Sequence, residues 1–241
     1  MMKRFLQRMA NSLGYECRRI AADDDQDPFV FAQKLIQASQ PVVFDVGAHH
    51  GQTALRLLEL FPSARVHCFE PFPESYAQLE IATQADTRVR RHRVCLSDRT
   101  GAAMMNCNTS TATNSLLETD RQAAATWGQG LLETDTRIEV PTTTLDEFCP
   151  SESISHVDLL KIDTQGAEYA VLKGAAGMLT RRAVTVLVFE MITAATYAQQ
   201  RLPSEYFALL ESRGYVFSGV FSPMYRHGLL AQCDVAFTLR P

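Results

Sequence analysis

Four carboxylates fall where apolar runs end: Asp45 in VVFDVG, Glu70 in VHCFEP, Asp163 in LLKIDT and Glu190 in VLVFEM. In a sheet of buried parallel strands, such positions lie along one rim, where open α/β folds bind ligands. Between the first two acids stands GAHHGQT, with Gly47 and Gly51 enclosing Ala48, His49 and His50, so strand, tight loop, helix, strand and acid follow in order. Glu70, 19 residues after Gly51, occupies the place of an acid that accepts both hydroxyls of a ribose. Asp163 precedes a turn at Gly166 and a helix carrying Glu168. Capping that helix is the other reading of Asp163, and a first-turn carboxylate such as Glu168 is favoured by the helix dipole in any case.

The loop narrows the ligand. A dinucleotide fold uses G-x-G-x-x-G to set helix amides on a pyrophosphate. Here the glycines are spaced G-x-x-x-G, and a carboxylate two residues ahead sits badly beside phosphate. An ammonium and a sulfonium suit it better, the charges of S-adenosyl-L-methionine (AdoMet). Glycine also lets the backbone approach the ligand closely. An NAD-type oxidoreductase and a non-catalytic AdoMet-fold partner protein are the alternatives.

The elements that position these residues read as alternating strands and helices. Helices are expected over Phe29 to Gln37, over Gln52 to Leu60 with Ala54, Leu55, Leu57, Leu58 and Phe61 inward, and from Pro73 with Tyr76, Leu79 and Ile81 inward. Strands are expected over Arg65 to Phe69, Arg88 to Leu96, Val157 to Asp163 and Val184 to Phe189, with a helix over Ala167 to Leu179. After a helix over Pro203 to Arg213, Tyr215 to Val220 and Val235 to Leu239 make a closing hairpin. From Ala102 to Pro141 the alternation stops and the polar run NTSTATNS intervenes, which implies a β-rich excursion or a mobile insert with substrate contact as its use. The division is residues 1–40 as a helical extension and linker, and 41–241 as the main domain, with 102–141 the insert.

Composition excludes several classes. The 241 residues are 46% hydrophobic, enough for a sizeable single core. A net charge of -4 gives no electrostatic case for nucleic acid. Six scattered cysteines show neither C-x-x-C nor metal-finger spacing, which fits a reducing cytoplasm. No apolar run is long enough for a transmembrane segment. Phe5, Leu6, Met9 and Leu13 recur at helical spacing among basic residues, and such a segment docks on its own domain, a partner subunit or a membrane surface.

DVGAHHGQT, FEPFPESYAQLE, LSDRTG, TTLDEF, LLKIDTQGAEYAVLKGA and VFE follow one another in the order of the FkbM-type AdoMet-dependent methyltransferases, which the chain resembles from about Pro41 to its C-terminus. The resemblance implies an α/β, Rossmann-like, seven-stranded and mostly parallel sheet with helices on both faces and an antiparallel last strand, the class I AdoMet-dependent methyltransferase fold. It further implies methyl transfer from AdoMet to a hydroxyl of a sugar, glycan or natural product. Carried over by position, Asp45, Gly47 and Gly51 line the methionine end, Glu70 holds the ribose, Ser97 and Asp98 lie beside the adenine, and Asp163 faces the reacting centre. His49 and His50 depart from the usual Asn and aliphatic residue. Gln165 replaces a common Glu, which counts against a divalent metal.

A weakly nucleophilic hydroxyl calls for a general base. Asp163, His49 and His50 are the candidates, with Glu168, Glu190 and His227 as rim or substrate residues. Either loop histidine could instead cap the helix or face solvent.

Overall fold

The structure, a computed structural model, describes residues 27–240. The amphipathic N-terminal segment, most of the acidic linker and Cys17 lie outside the described residues. Helix α1 (Pro28–Leu35) starts where Asp27 accepts hydrogen bonds from the amides of Phe29 and Val30 and Pro28 occupies the first turn. It leads into β1 (Val42–Val46), α2 (Gln52–Leu60), β2 (Arg65–Phe69), α3 (Pro73–Thr83) and β3 (Val89–His92). After an excursion described below come α5 (Leu145–Ser151), β7 (Val157–Ile162), α6 (Glu168–Gly174), α7 (Ala176–Thr180) and β8 (Val184–Ile192). The chain ends with α8 (Pro203–Glu211), β9 (Tyr215–Arg226) and β10 (Leu229–Leu239).

Seven strands form one sheet in the order β3-β2-β1-β7-β8-β10-β9. Strands β3, β2, β1, β7 and β8 pair in parallel, and β10 runs antiparallel to both of its neighbours. Every residue of β7 is buried, as a strand covered on both faces requires. The chain leaves β1 toward β2 on one side and reaches β7 on the other, so a crevice opens at the carboxyl ends of β1 and β7.

Several expectations are corrected. The single strand over Arg88 to Leu96 is two: β3 stays in the large sheet, while β4 (Cys95–Leu96) pairs with β6 (Thr134–Thr143) in a separate three-stranded sheet. That sheet is completed by β5 (Gly101–Asn108), antiparallel to β6. The insert is therefore β-rich, and it also carries a 3-10 turn (Thr111–Thr113) and the short helix α4 (Ala123–Trp127). The single helix over Ala167 to Leu179 is broken at Ala175 into α6 and α7. Leu55 and Ile81, expected inward, are 42% and 60% exposed, because Leu55 falls one step off the stripe of Ala54, Leu57 and Leu58 and Ile81 lies on the face opposite Ser75, Leu79 and Thr83.

Candidate active site

A cavity lies over the carboxyl ends of β1, β2 and β7, and the insert supplies its outer wall. Gly47, Ala48, His49, Lys161, Asp163 and Gln165 line one end. Glu70 stands midway, and Phe69, Val94, Cys95, Leu96, Met105 and Leu116 form an apolar slot at the other end.

The glycine loop is tied to the end of β2. The amides of Gly47 and Ala48 both donate to Phe69 O at 3.0 Å. Gly47 has a φ of +76°, and a Cβ built there would meet the carbonyl oxygen of Asp163 at 1.8 Å. Its lack of a side chain serves the junction between β1 and β7 as much as any ligand. Gly51 is not in the cavity wall; its missing Cβ leaves room for Leu79 of α3, 3.0 Å away.

Glu70 is buried, and each carboxylate oxygen accepts one backbone amide: His49 N on Oε2 and Phe72 N on Oε1, both at 2.9 Å. Burial pushes its pKa up, and the two amides counter the shift. A carboxylate offers about four lone-pair sites, so two remain for hydroxyl donors. With the apolar slot beside it, this donor and acceptor set fits an adenosine.

Asp45 differs from expectation. It is fully buried behind the cavity rather than lining it, 2.9 Å from Lys161 Nζ. Lys161 also donates to Gly47 O at 3.0 Å and lies 4.0 Å from Asp163 Oδ2. Burial works against the ammonium, but Asp45 and Asp163 outweigh it and hold the Lys161 pKa above its ordinary value. The sequence carried the signal for Lys161, a lysine inside the apolar run VDLLKI, since a buried charge demands a partner.

Asp163, Glu168 and Glu190 converge, each offering a carboxylate oxygen within 4.8 Å of the others. Glu190 lies within β8, which runs on to Ile192. Glu168 accepts from Thr164 N at 2.8 Å and Gly166 N at 3.1 Å, so it ties the first residue of its helix to the turn that precedes it. Burial pushes its pKa up to about 7, with Asp163 adding to the shift. Burial, then Asp163 and Glu168, raise Glu190 well above the usual carboxylate range. Gly166 leaves no ligand space: a Cβ there would lie 2.7 Å from the Tyr197 ring. Gln165 and Tyr197, which the sequence reading did not include among the site residues, bind each other at 2.9 Å beside these acids.

The histidines separate. His49 lines the cavity, with Nε2 2.9 Å from Thr111 Oγ1 of the insert, and burial and then His50 lower its pKa. His50 stacks on His49 at 3.7 Å but is not in the cavity wall. His227 sits at the tip of the β9–β10 hairpin, where Nε2 meets Ala125 O at 3.2 Å. Ser97 and Asp98 line a neighbouring cavity, and Asp98 is bonded to Lys173 at 3.0 Å. Val94 to Leu96, just before them, are what line the apolar slot.

The strand order, the single antiparallel strand and a ligand cavity over β1, β2 and β7 define a class I methyltransferase fold. Residues 45–217 match the methyltransferase FkbM domain, and the chain belongs to that family. The 2-O-methyltransferase NoeI of Sinorhizobium fredii is 31% identical over 153 residues, covering 61% of this chain and 62% of NoeI. Methyltransferase sdnD of Sordaria araneosa is 27% identical over 157 residues, covering 56% of this chain and 61% of sdnD. The match thus spans less than two thirds of either relative. The crystal structure of Methyltransferase FkbM from Methylobacillus flagellatus superposes with a TM-score of 0.53 at 15% identity, over 83% of this chain and 44% of that one.

Proposed function

We propose that the chain is an AdoMet-dependent O-methyltransferase acting on a hydroxyl of a sugar, glycan or natural product. The observation that carries the reading is Glu70, a buried carboxylate with spare acceptor capacity between an apolar slot and a cluster of acids. NoeI, named a 2-O-methyltransferase, supports oxygen as the acceptor atom. The five described cysteines are buried free thiols, which fits a reducing cytoplasm.

Bound AdoMet supplies an electrophilic methyl group on a sulfonium. The residues supply placement. Glu70 accepts the ribose hydroxyls, Phe69, Val94, Leu96 and Met105 enclose the adenine, and the Gly47–Ala48 backbone flanks the methionine portion. Asp163, on the rim beyond that portion, accepts the proton of the acceptor hydroxyl as the new C–O bond forms. Holding the acceptor oxygen in line at about 3–3.5 Å removes several kcal/mol of the barrier. His49 closes the cavity from the insert side through Thr111.

The test is thermal-shift screening with S-adenosylhomocysteine (AdoHcy) against NAD, followed by mass spectrometry of metabolites and glycans from a strain lacking the gene beside its parent. Stabilisation by AdoHcy alone, with a methyl group missing from a hydroxylated product, is the expected pair of results. Stabilisation by NAD alone would reject the reading.

A further inference from the structure

Three carboxylates in close contact cannot all carry charge without something positive among them. The side chain of Gln165 stands in that place. Its Nε2 donates to Asp163 Oδ1 at 2.9 Å and to Glu190 Oε2 at 3.0 Å, which uses both amide hydrogens. Its Oε1 accepts from Tyr197 OH at 2.9 Å. The orientation of the amide follows from its neighbours, since carboxyl oxygens of Asp163 and Glu190 face its nitrogen and the tyrosine hydroxyl has a proton to give to its oxygen.

The backbone holds Gln165 there at some cost. Its φ is +55°, a left-handed conformation rare for a residue with a side chain. Ser115 Oγ of the insert donates to its carbonyl at 2.6 Å, and the Tyr197 ring packs directly over Gly166. Strain of this kind persists where the surroundings over-determine it.

We propose that Gln165 is a positioning residue that takes the place of a cation among Asp163, Glu168 and Glu190 and so fixes the carboxylate of Asp163 beside the cofactor cavity. With Oδ1 engaged by the amide, Oδ2 of Asp163 is left on the side of Lys161, 4.0 Å away. That oxygen is the one available to an acceptor hydroxyl. Only this last step rests on the methyltransferase reading. The occupancy of the acid cluster by an amide stands independently of it. In support, Glu168 and Glu190 are both shifted toward their neutral forms, so an amide and protons supply the compensation.

The test uses the full chain as wild type, Q165E and Q165A. Mn²⁺ is titrated into each, followed by the loss of the free-ion EPR signal and by thermal melting. Wild type should leave the signal undiminished. Q165E adds a carboxylate, and Q165A vacates the space between the acids. Each should bind one equivalent of Mn²⁺ about tenfold or more tighter than wild type, with a rise in Tm. A substitution that merely loosened the turn would not create metal affinity. Should Q165E fail to fold, Q165A decides. One equivalent of Mn²⁺ bound by wild type, or no binding by the folded variants, overturns the proposal. Calorimetry with AdoHcy on the same samples keeps the questions apart: wild type that fails to bind AdoHcy rejects the cofactor reading and leaves the Mn²⁺ result standing.

Discussion

Replacing Glu70 by alanine should do two separable things, and their sizes follow from its partners. The carboxylate accepts from His49 N and Phe72 N, both at 2.9 Å, in a site only 7% exposed. Alanine leaves two amides without an acceptor, at about 1–3 kcal/mol for each that stays dry. The Tm should fall accordingly. The second effect is on the ligand. Hydrogen bonds to a charged acceptor contribute about 1.5–3 kcal/mol each, but water entering the vacated space would solvate part of the ribose edge. A net loss of about 2–3 kcal/mol is expected, or about 30- to 150-fold in Kd. Calorimetry with AdoHcy measures it, and thermal melting without ligand measures the structural effect. E70Q is the control, because it keeps the shape and one acceptor oxygen while losing the charge. It should fall between wild type and E70A in both assays. A folded E70A that binds AdoHcy as tightly as wild type would refute the ribose assignment, whatever its Tm.

Three further outcomes follow. D163N should leave AdoHcy affinity nearly unchanged and lower turnover about 10²-fold or more on a defined acceptor, measured by methyl transfer; near-normal turnover would reduce Asp163 to a structural role. G47A should cost folding rather than binding alone, because its Cβ would overlap the carbonyl oxygen of Asp163 at 1.8 Å with φ at +76°; a soluble G47A with wild-type Tm would contradict the packing described. Glu168 is buried with a pKa raised from 4.5 to about 7, so its contribution to stability is full below pH 4.5 and lost as pH rises through 7. E168Q keeps an acceptor oxygen for Thr164 and Gly166 without ionising; relative to wild type it should gain stability across that window by up to about 3 kcal/mol, read from denaturant melts at several pH values, and equal pH slopes for the two proteins would rule the assignment out.

The sheet was legible because its strands are short apolar runs ending in acids, and the rim is where such strands stop. Glu70 and Asp163 follow from that pattern, and so does the approach of Glu190. What the pattern does not contain is the level at which an acid stands relative to the neighbouring strands. Asp45 and Asp163 end adjacent parallel strands, yet one is sealed against Lys161 and the other reaches the cavity. In the pairing of β1 with β7, Asp45 stands opposite Lys161, two residues before Asp163, so alternation does not part the two acids; two residues of depth along the strand separate a cavity residue from a buried ion pair. Gly51 shows a related gap between pattern and packing. A turn glycine announces a special backbone, but only packing shows whether the absent Cβ makes room for a ligand or for Leu79.

The insert was the least legible part because its partners are distant in sequence. Cys95 and Leu96 look like the end of a strand of the large sheet, and their apolar character is equally suited to either sheet. They leave it because β6, some forty residues later, offers a parallel edge at Thr142 and Thr143. That exchange has a functional consequence. It carries Val94, Cys95 and Leu96 over the end of β2, where they line the apolar slot, and it brings Met105, Thr111 and Leu116 against the same cavity. Ser97 and Asp98 are moved past the slot by the same change of direction, where Asp98 meets Lys173 instead. The polar run between Asn108 and Ser115 is ordered by local bonds, with Asn106 and Ser115 exchanging backbone hydrogen bonds at 2.8 and 3.1 Å. From that anchored segment Ser115 reaches the carbonyl of Gln165, so the insert wall of the cavity and the turn that holds Asp163 are joined.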